Sequence, residues 1–113
     1  MANHKIQRIE SDILKYLSNI ILTETRDELL KSITLTEVEV NKDLSLAKIY
    51  FTSINNEEDV DIVKEVNEAA PFLRGKLARV LEVRNIPELK FIYDDTIEYA
   101  TRIERIINNI NNN

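Results

Sequence analysis

Apolar residues return at helical intervals near the start of the chain. Ile6, Ile9, Ile13, Leu17 and Ile20 form one stripe, which Leu14 and Ile21 widen. This spacing predicts a first helix from about Lys5 to about Thr23, with Lys5, Arg8, Asp12 and Lys15 on a neighbouring polar stripe. The segment 23–32, TETRDELLKS, has room for a helical turn and carries no stronger signal. The period then drops to two. Ile33 to Val40, ITLTEVEV, alternates β-branched and polar residues and reads as a strand. Its apolar phase slips between Leu35 and Val38, which a β-bulge, or burial of both faces at one end, would explain. Asn41-Lys42-Asp43 is a turn, and Leu46 to Ser53 is the return strand of an antiparallel hairpin. Ala47, Ile49 and Phe51 share one of its faces; Lys48, Tyr50 and Thr52 share the other.

Asn55-Asn56-Glu57-Glu58-Asp59 opens a second helix, with an N-capping residue followed by acidic residues that suit the helix dipole. Val60, Val63 and Val66 or Asn67 continue it. Pro71 then interrupts the pattern, because it disfavours the α conformation at Ala70 and has no N–H for the preceding turn. Proline is well suited to the first position of a new helix. A break near Ala70 is therefore expected, followed by a third helix from Pro71 to about Val83 with Leu73, Leu77, Val80 and Leu81 inward. After a turn at Asn85-Ile86-Pro87, Leu89, Phe91 and Tyr93 alternate with Lys90 and Ile92 in a third strand. Asp95-Thr96-Ile97-Glu98 has capping-box spacing. It starts a last helix with Ile97, Ala100, Ile103, Ile106 or Ile107 and Ile110 inward. The order α-β-β-α-break-α-β-α gives an α+β fold: a three-stranded sheet with helices packed on one face. One domain over residues 1–110 is expected, with 111–113 as a frayed tail.

Composition narrows the function classes. The chain has 113 residues, a net charge of −5 and no cysteine. Disulfides, thiolate metal sites and thiol nucleophiles are thereby excluded. An acidic chain does not coat nucleic acid indiscriminately, since such binding comes from neutralised phosphates. No apolar run approaches a membrane span, and the N-terminus lacks the apolar core of a signal peptide, so a cytoplasmic protein is expected. The charge is nevertheless unevenly distributed. Between Phe72 and Arg84, the cations Arg74, Lys76, Arg79 and Arg84 face one anion, Glu82, a local +3 that leaves −8 for the rest. Such an asymmetry can orient a protein toward a polyanion.

The start of the third helix offers unpaired N–H groups and a partial positive charge. The amides of Phe72, Leu73 and Arg74 would be the donors, with Arg74, Lys76 and Arg79 within two turns. On the residues alone, these cations are better read as the solvated face of a helix. Gly75, the only glycine, weakens a helix interior. Close approach of a ligand or tight packing against another helix would each account for it. Lys5 and Arg8 are more simply the solvated face of their own helix than an extension of the basic surface. Tyr50, on the outer sheet face with Lys48 and Lys90, is more simply a cross-strand partner than a base-stacking residue. Glu57, Glu58, Asp59 and Asp61 lack the spacing and glycine of a calcium loop. Asp94 and Asp95 could be read as catalytic carboxylates, but a capping role accounts for Asp95, and His4 is the only histidine. Neither a catalytic triad nor a phosphate-binding glycine motif is present. No enzyme and no cofactor is expected.

Several segments resemble the ribosome-binding factor A family. Val38-Glu39-Val40 with Asp43-Leu44 and Ala47-Lys48-Ile49-Tyr50 resembles its hairpin. Ala69-Ala70-Pro71-Phe72-Leu73-Arg74 resembles its Ala-x-Gly-Phe-Leu-Arg kink, with Pro71 where the family usually carries glycine. Pro87-Glu88-Leu89-Lys90-Phe91 and Asp94-Asp95-Thr96-Ile97-Glu98, continued by Arg102-Ile103, resemble its third strand and final helix. The resemblance implies a KH-like fold of type II. It also implies a non-enzymatic factor that binds the immature small ribosomal subunit near its decoding region, assists late rRNA maturation or folding, and matters most in the cold. A monomer is expected, with rRNA as partner and a GTPase or other assembly factor as a further one. The implied RNA-binding residues are Pro71, Phe72, Leu73, Arg74, Gly75, Lys76, Arg79 and Arg84, with Lys5 and Arg8. Pro71 keeps the kink but removes one backbone donor. The rival class is a protein–protein module of similar topology that dimerises through a strand edge. A third reading is a KH module for free RNA, whose binding to short single strands would be weak for a chain of this charge.

Overall fold

The computed structural model of the chain describes residues 3–53 and 60–95. Helix α1 spans Asn3–Glu24, and α2 is one turn, Glu28–Lys31. Strands β1, Ile33–Val40, and β2, Leu46–Ser53, precede α3, Val60–Glu68, and α4, Ala70–Leu77; β3 is Glu88–Tyr93. The sheet order is β1-β2-β3, antiparallel between the first pair and parallel between the second. The kinked pair α3–α4 lies within the crossover from β2 to β3. Helix α1 packs on β1 and α4, while α3 and α4 pack on β3.

The hairpin forms as its pattern predicts. Leu35 pairs with Phe51 and Glu37 with Tyr50, so Thr36 is the extra residue of a bulge. The bulge resets the phase, and Val38 and Val40 are buried after it. The turn is held by the Asn41 side chain, whose Oδ1 accepts from the amides of Ser45 and Leu46 at 2.9 and 3.0 Å. Leu44 there adopts φ 61°. Segment 23–32 does hold a turn: Asp27 caps α2 by accepting from Leu29 N–H at 2.9 Å.

One core joins Ile9, Ile13, Leu17 and Ile20 of α1 to Ala47, Ile49 and Phe51 of β2 and to Leu73 and Leu77 of α4. Phe51 meets Phe91 and Tyr93 edge-on at centroid distances of 6.4 and 5.6 Å. In α3 both Ile62 and Val66 are buried. The expected asparagine cap and acidic first turn of the second helix, residues 55–59, and the last helix fall on residues outside those described.

The third helix departs from expectation at both ends. It begins at Ala70, and it ends at Leu77 rather than near Val83. Past Leu77, the amides of Arg79 and Val80 bond to Lys76 and Leu77, three residues back. Those tight turns rotate Val80 outward: it is 42% exposed, whereas Leu81 stays buried. The expectation that Val80 faces the core is thus corrected.

Side chains from the helices occupy backbone groups at both outer strands. On β1, Val40 N–H donates to Glu10 Oε2 of α1 at 2.8 Å. On β3, Phe91 N–H donates to Asn67 Oδ1 at 2.8 Å, and Asn67 Nδ2 donates to Phe91 O at 2.9 Å. Asn67 thus stands in for a neighbouring strand at that residue.

Candidate nucleic-acid interface

The site is built on the junction of α3 and α4. A single residue, Ala69, separates them, with φ −83° and ψ −7°. Its N–H bonds to Val66 O at 3.1 Å, and its carbonyl accepts from Leu73 N–H at 3.0 Å. Pro71 sits in the first turn of α4, where its missing N–H costs nothing. Because the helix starts one residue earlier than expected, the amide of Leu73 is already bonded. Its side chain is fully buried, so Leu73 anchors the helix and presents nothing to a ligand.

The cations of the basic segment separate into two groups. Arg74 reaches across to the loop before β3. Its Nε donates to Pro87 O at 3.1 Å, and its Nη2 donates to Ile86 O at 2.6 Å. Lys76 stands 5.6 Å from the Phe72 ring centroid and 3.7 Å from Glu24 Oε1 at the end of α1. Arg79 and Arg84 lie beyond α4, are exposed, and have no carboxylate partner among the described residues. Arg74 uses its fork on carbonyls and has no carboxylate partner among the described residues. Positive surface therefore remains after the internal contacts are made.

Pro71, Phe72, Gly75 and Arg79 are all exposed around the outer side of α4. A Cβ built on Gly75 would meet nothing within 4 Å. Among the described residues no helix packs against it, although glycine costs about 1 kcal/mol relative to alanine inside a helix. Lys5 and Arg8 are exposed on α1, far along it from Glu24, which meets Lys76. Sixteen residues separate Arg8 from Glu24, about 24 Å along the axis at 1.5 Å per residue.

Beside the junction, toward β3, lies an open cleft of about 700 Å³, lined by Asn67, Pro71, Arg74, Leu46, Leu89 and Lys90. Asn67 and Lys90 add to the residues expected here. Asn67 carried one signal in the sequence: an amide at a position where helical spacing calls for an apolar residue. Among the described residues there is no group of three or more His, Asp or Glu able to hold a metal ion. None of the described helices is long and apolar enough to cross a membrane.

Fold and surface together define a small α+β domain: a bulged hairpin, a kinked helix pair with a cationic outer side, and a parallel third strand. The family described as ribosome-binding factor A matches residues 5–107. The ribosome-binding factor A of Staphylococcus carnosus is 37% identical over 111 residues, covering 97% of this chain and 96% of that one. The chain belongs to the ribosome-binding factor A family. A crystal structure of the Thermus thermophilus factor gives a TM-score of 0.69 at 25% identity, over 78% of this chain and 93% of that one. A homology model of the Thermus thermophilus factor, as fitted into a cryo-EM map of its 30S complex, shares the fold. Its TM-score is 0.64 at 24% identity, over 77% of this chain and 92% of that one.

Proposed function

We propose that this chain is a non-enzymatic assembly factor that binds the immature small ribosomal subunit and assists late rRNA maturation and folding in the cytoplasm, with greatest effect in the cold. Family membership supports the ribosome as target, and the Thermus thermophilus factor fitted to a 30S map supports the small subunit. The element order supports a KH-like domain of type II, although the final helix lies outside the described residues. The observation that carries the reading is the positive charge at Arg79 and Arg84, which have no carboxylate partner among the described residues, beside a kinked helix on an acidic protein. Phosphate contacts of this kind position a protein on RNA without reading sequence.

The mechanism is occupancy. The cationic outer side of α4 and the turn after it dock on rRNA, and the acidic remainder of the chain is repelled from it. A folding intermediate is held until maturation proceeds, and another assembly factor, such as a GTPase, releases the protein. The rival, a module dimerising through a strand edge, is disfavoured by Glu10 and Asn67, which occupy backbone groups at the two outer strands. A monomer follows.

Gradient co-sedimentation with immature small subunits tests this reading. Charge reversal at Arg79 and Arg84 is expected to weaken association at least tenfold and to flatten its dependence on salt. Undiminished association would overturn the site assignment. A stable homodimer on light scattering, with no association, would favour the rival. Arg74 is a poor choice for this test because its side chain holds the loop before β3.

A further inference from the structure

Phosphate contacts do not account for Phe72. Its ring is 48% exposed on a helix whose Leu73 and Leu77 are fully buried. Residues 72, 75 and 79 are spaced to fall along one side of α4. The amides of Ala78 and Leu81 bond four residues back, to Arg74 and Leu77 at 2.9 Å each, which keeps Arg79 on that side. A merely solvated face would carry long polar side chains throughout. Here the ridge is Pro71, Phe72, Gly75 and Ala78, with Arg79 at its end, all exposed.

Two details make this ridge more than a bare surface. Lys76 Nζ stands 5.6 Å from the ring centroid, and Glu24 Oε1 holds that ammonium at 3.7 Å. The ring is thus steadied by a cation. At Gly75 the backbone is uncovered among the described residues, and a Cβ there would touch none of them. An exposed aromatic, an uncovered backbone and a cation in one line fit a flat, anionic partner. An unpaired nucleotide has both properties, because every base has a π-face and every nucleotide a phosphate. Charge complementarity favours RNA over a protein partner, since this segment is locally +3 on a chain whose remainder is −8.

We propose that Phe72 and the backbone at Gly75 form a stacking platform for an unpaired base of small-subunit rRNA, with Arg79 on the adjoining phosphate. The proposal rests on the small-subunit reading and deepens it. Glycine lets the nucleotide lie against the helix, and Lys76 fixes the ring in advance, so little order is lost on binding.

The test measures the affinity of the wild-type chain, F72L, F72W and G75A for immature small subunits, with thermal melts as folding controls. F72L keeps an apolar side chain and loses the π-face; it is expected to bind about 5- to 100-fold more weakly. F72W retains binding. G75A melts about 4 °C higher, since alanine favours the helix, yet binds more weakly. Ultraviolet cross-linking of the wild-type complex is expected to join Phe72 to a nucleotide. If F72L and G75A bind as tightly as a wild-type chain that does associate, the platform is overturned and the small-subunit reading stands. A cross-link from Phe72 to a ribosomal protein likewise overturns the platform alone. A wild-type chain that fails to associate overturns both.

Discussion

The two sides of the kinked helix pair use similar residue types for different ends. On the side facing β3, Asn67 pairs with the backbone of Phe91, and Arg74 grips the carbonyls of Ile86 and Pro87. On the outer side Phe72 is exposed, and among the described residues a side chain at Gly75 would meet nothing and Arg79 has no carboxylate partner. Arg74 and Arg79 are close in sequence, and sequence alone treats them as one basic cluster. The difference teaches that cationic residues in a row do not amount to available charge. The fold commits some to its own backbone, and only the remainder is open to a ligand.

Substitutions on the inner side should cost the most. Asn67→Ala leaves the Phe91 amide and carbonyl without this partner in a part-buried setting. It should lower unfolding free energy by about 2–3 kcal/mol in a urea titration. A loss below about 0.5 kcal/mol would show that water replaces the side chain freely. Arg74→Ala should cost about 1–2 kcal/mol, because charge-assisted bonds to two carbonyls are lost from a mostly exposed group. Arg74→Lys should not restore it, since an ammonium cannot reproduce the fork. Full recovery with lysine would mean that Arg74 acts as a charge, and the contrast with Arg79 would collapse.

Changes on the outer side should barely register in stability. Arg79→Ala should alter unfolding free energy by less than about 0.5 kcal/mol while weakening small-subunit association. The smallest effect is expected at Glu24. Glu24→Gln frees Lys76 from an exposed ion pair worth about 0.5 kcal/mol or less, a change that should vanish at high salt. A small loss of association should accompany it, because Lys76 is then no longer held beside the Phe72 ring. A gain in association would indicate that the freed Lys76 charge outweighs its place beside the ring.

Much of the fold was legible in the chain itself. The stripe from Ile6 to Ile20, the alternation in both hairpin strands and the slip between Leu35 and Val38 each became the expected element, bulge included. Pro71 announced the interruption, because proline removes a donor wherever it stands. The candidate site was less legible. Phe72, Arg79 and Arg84 are exposed, but Leu73 is buried and Lys5 and Arg8 lie far along α1. Val80 kept a core-like spacing that the tightened turn after Leu77 annulled. Asn67 was visible only as a polar residue out of phase.

What the sequence determined by itself is the kind and order of the described elements, together with the presence of a cationic segment in an acidic chain. Those follow from side-chain periodicity and from proline, which act on neighbours along the chain. Tertiary structure alone decided which polar groups were consumed. Val40 meets Glu10 across 30 residues, Thr36 meets Asp94 across 58, and Asn67 meets Phe91 across 24. No local pattern encodes such partners, because each depends on where the whole chain brings a second strand or helix. The same holds for Gly75, whose meaning depended on whether anything in the folded protein lay beside it.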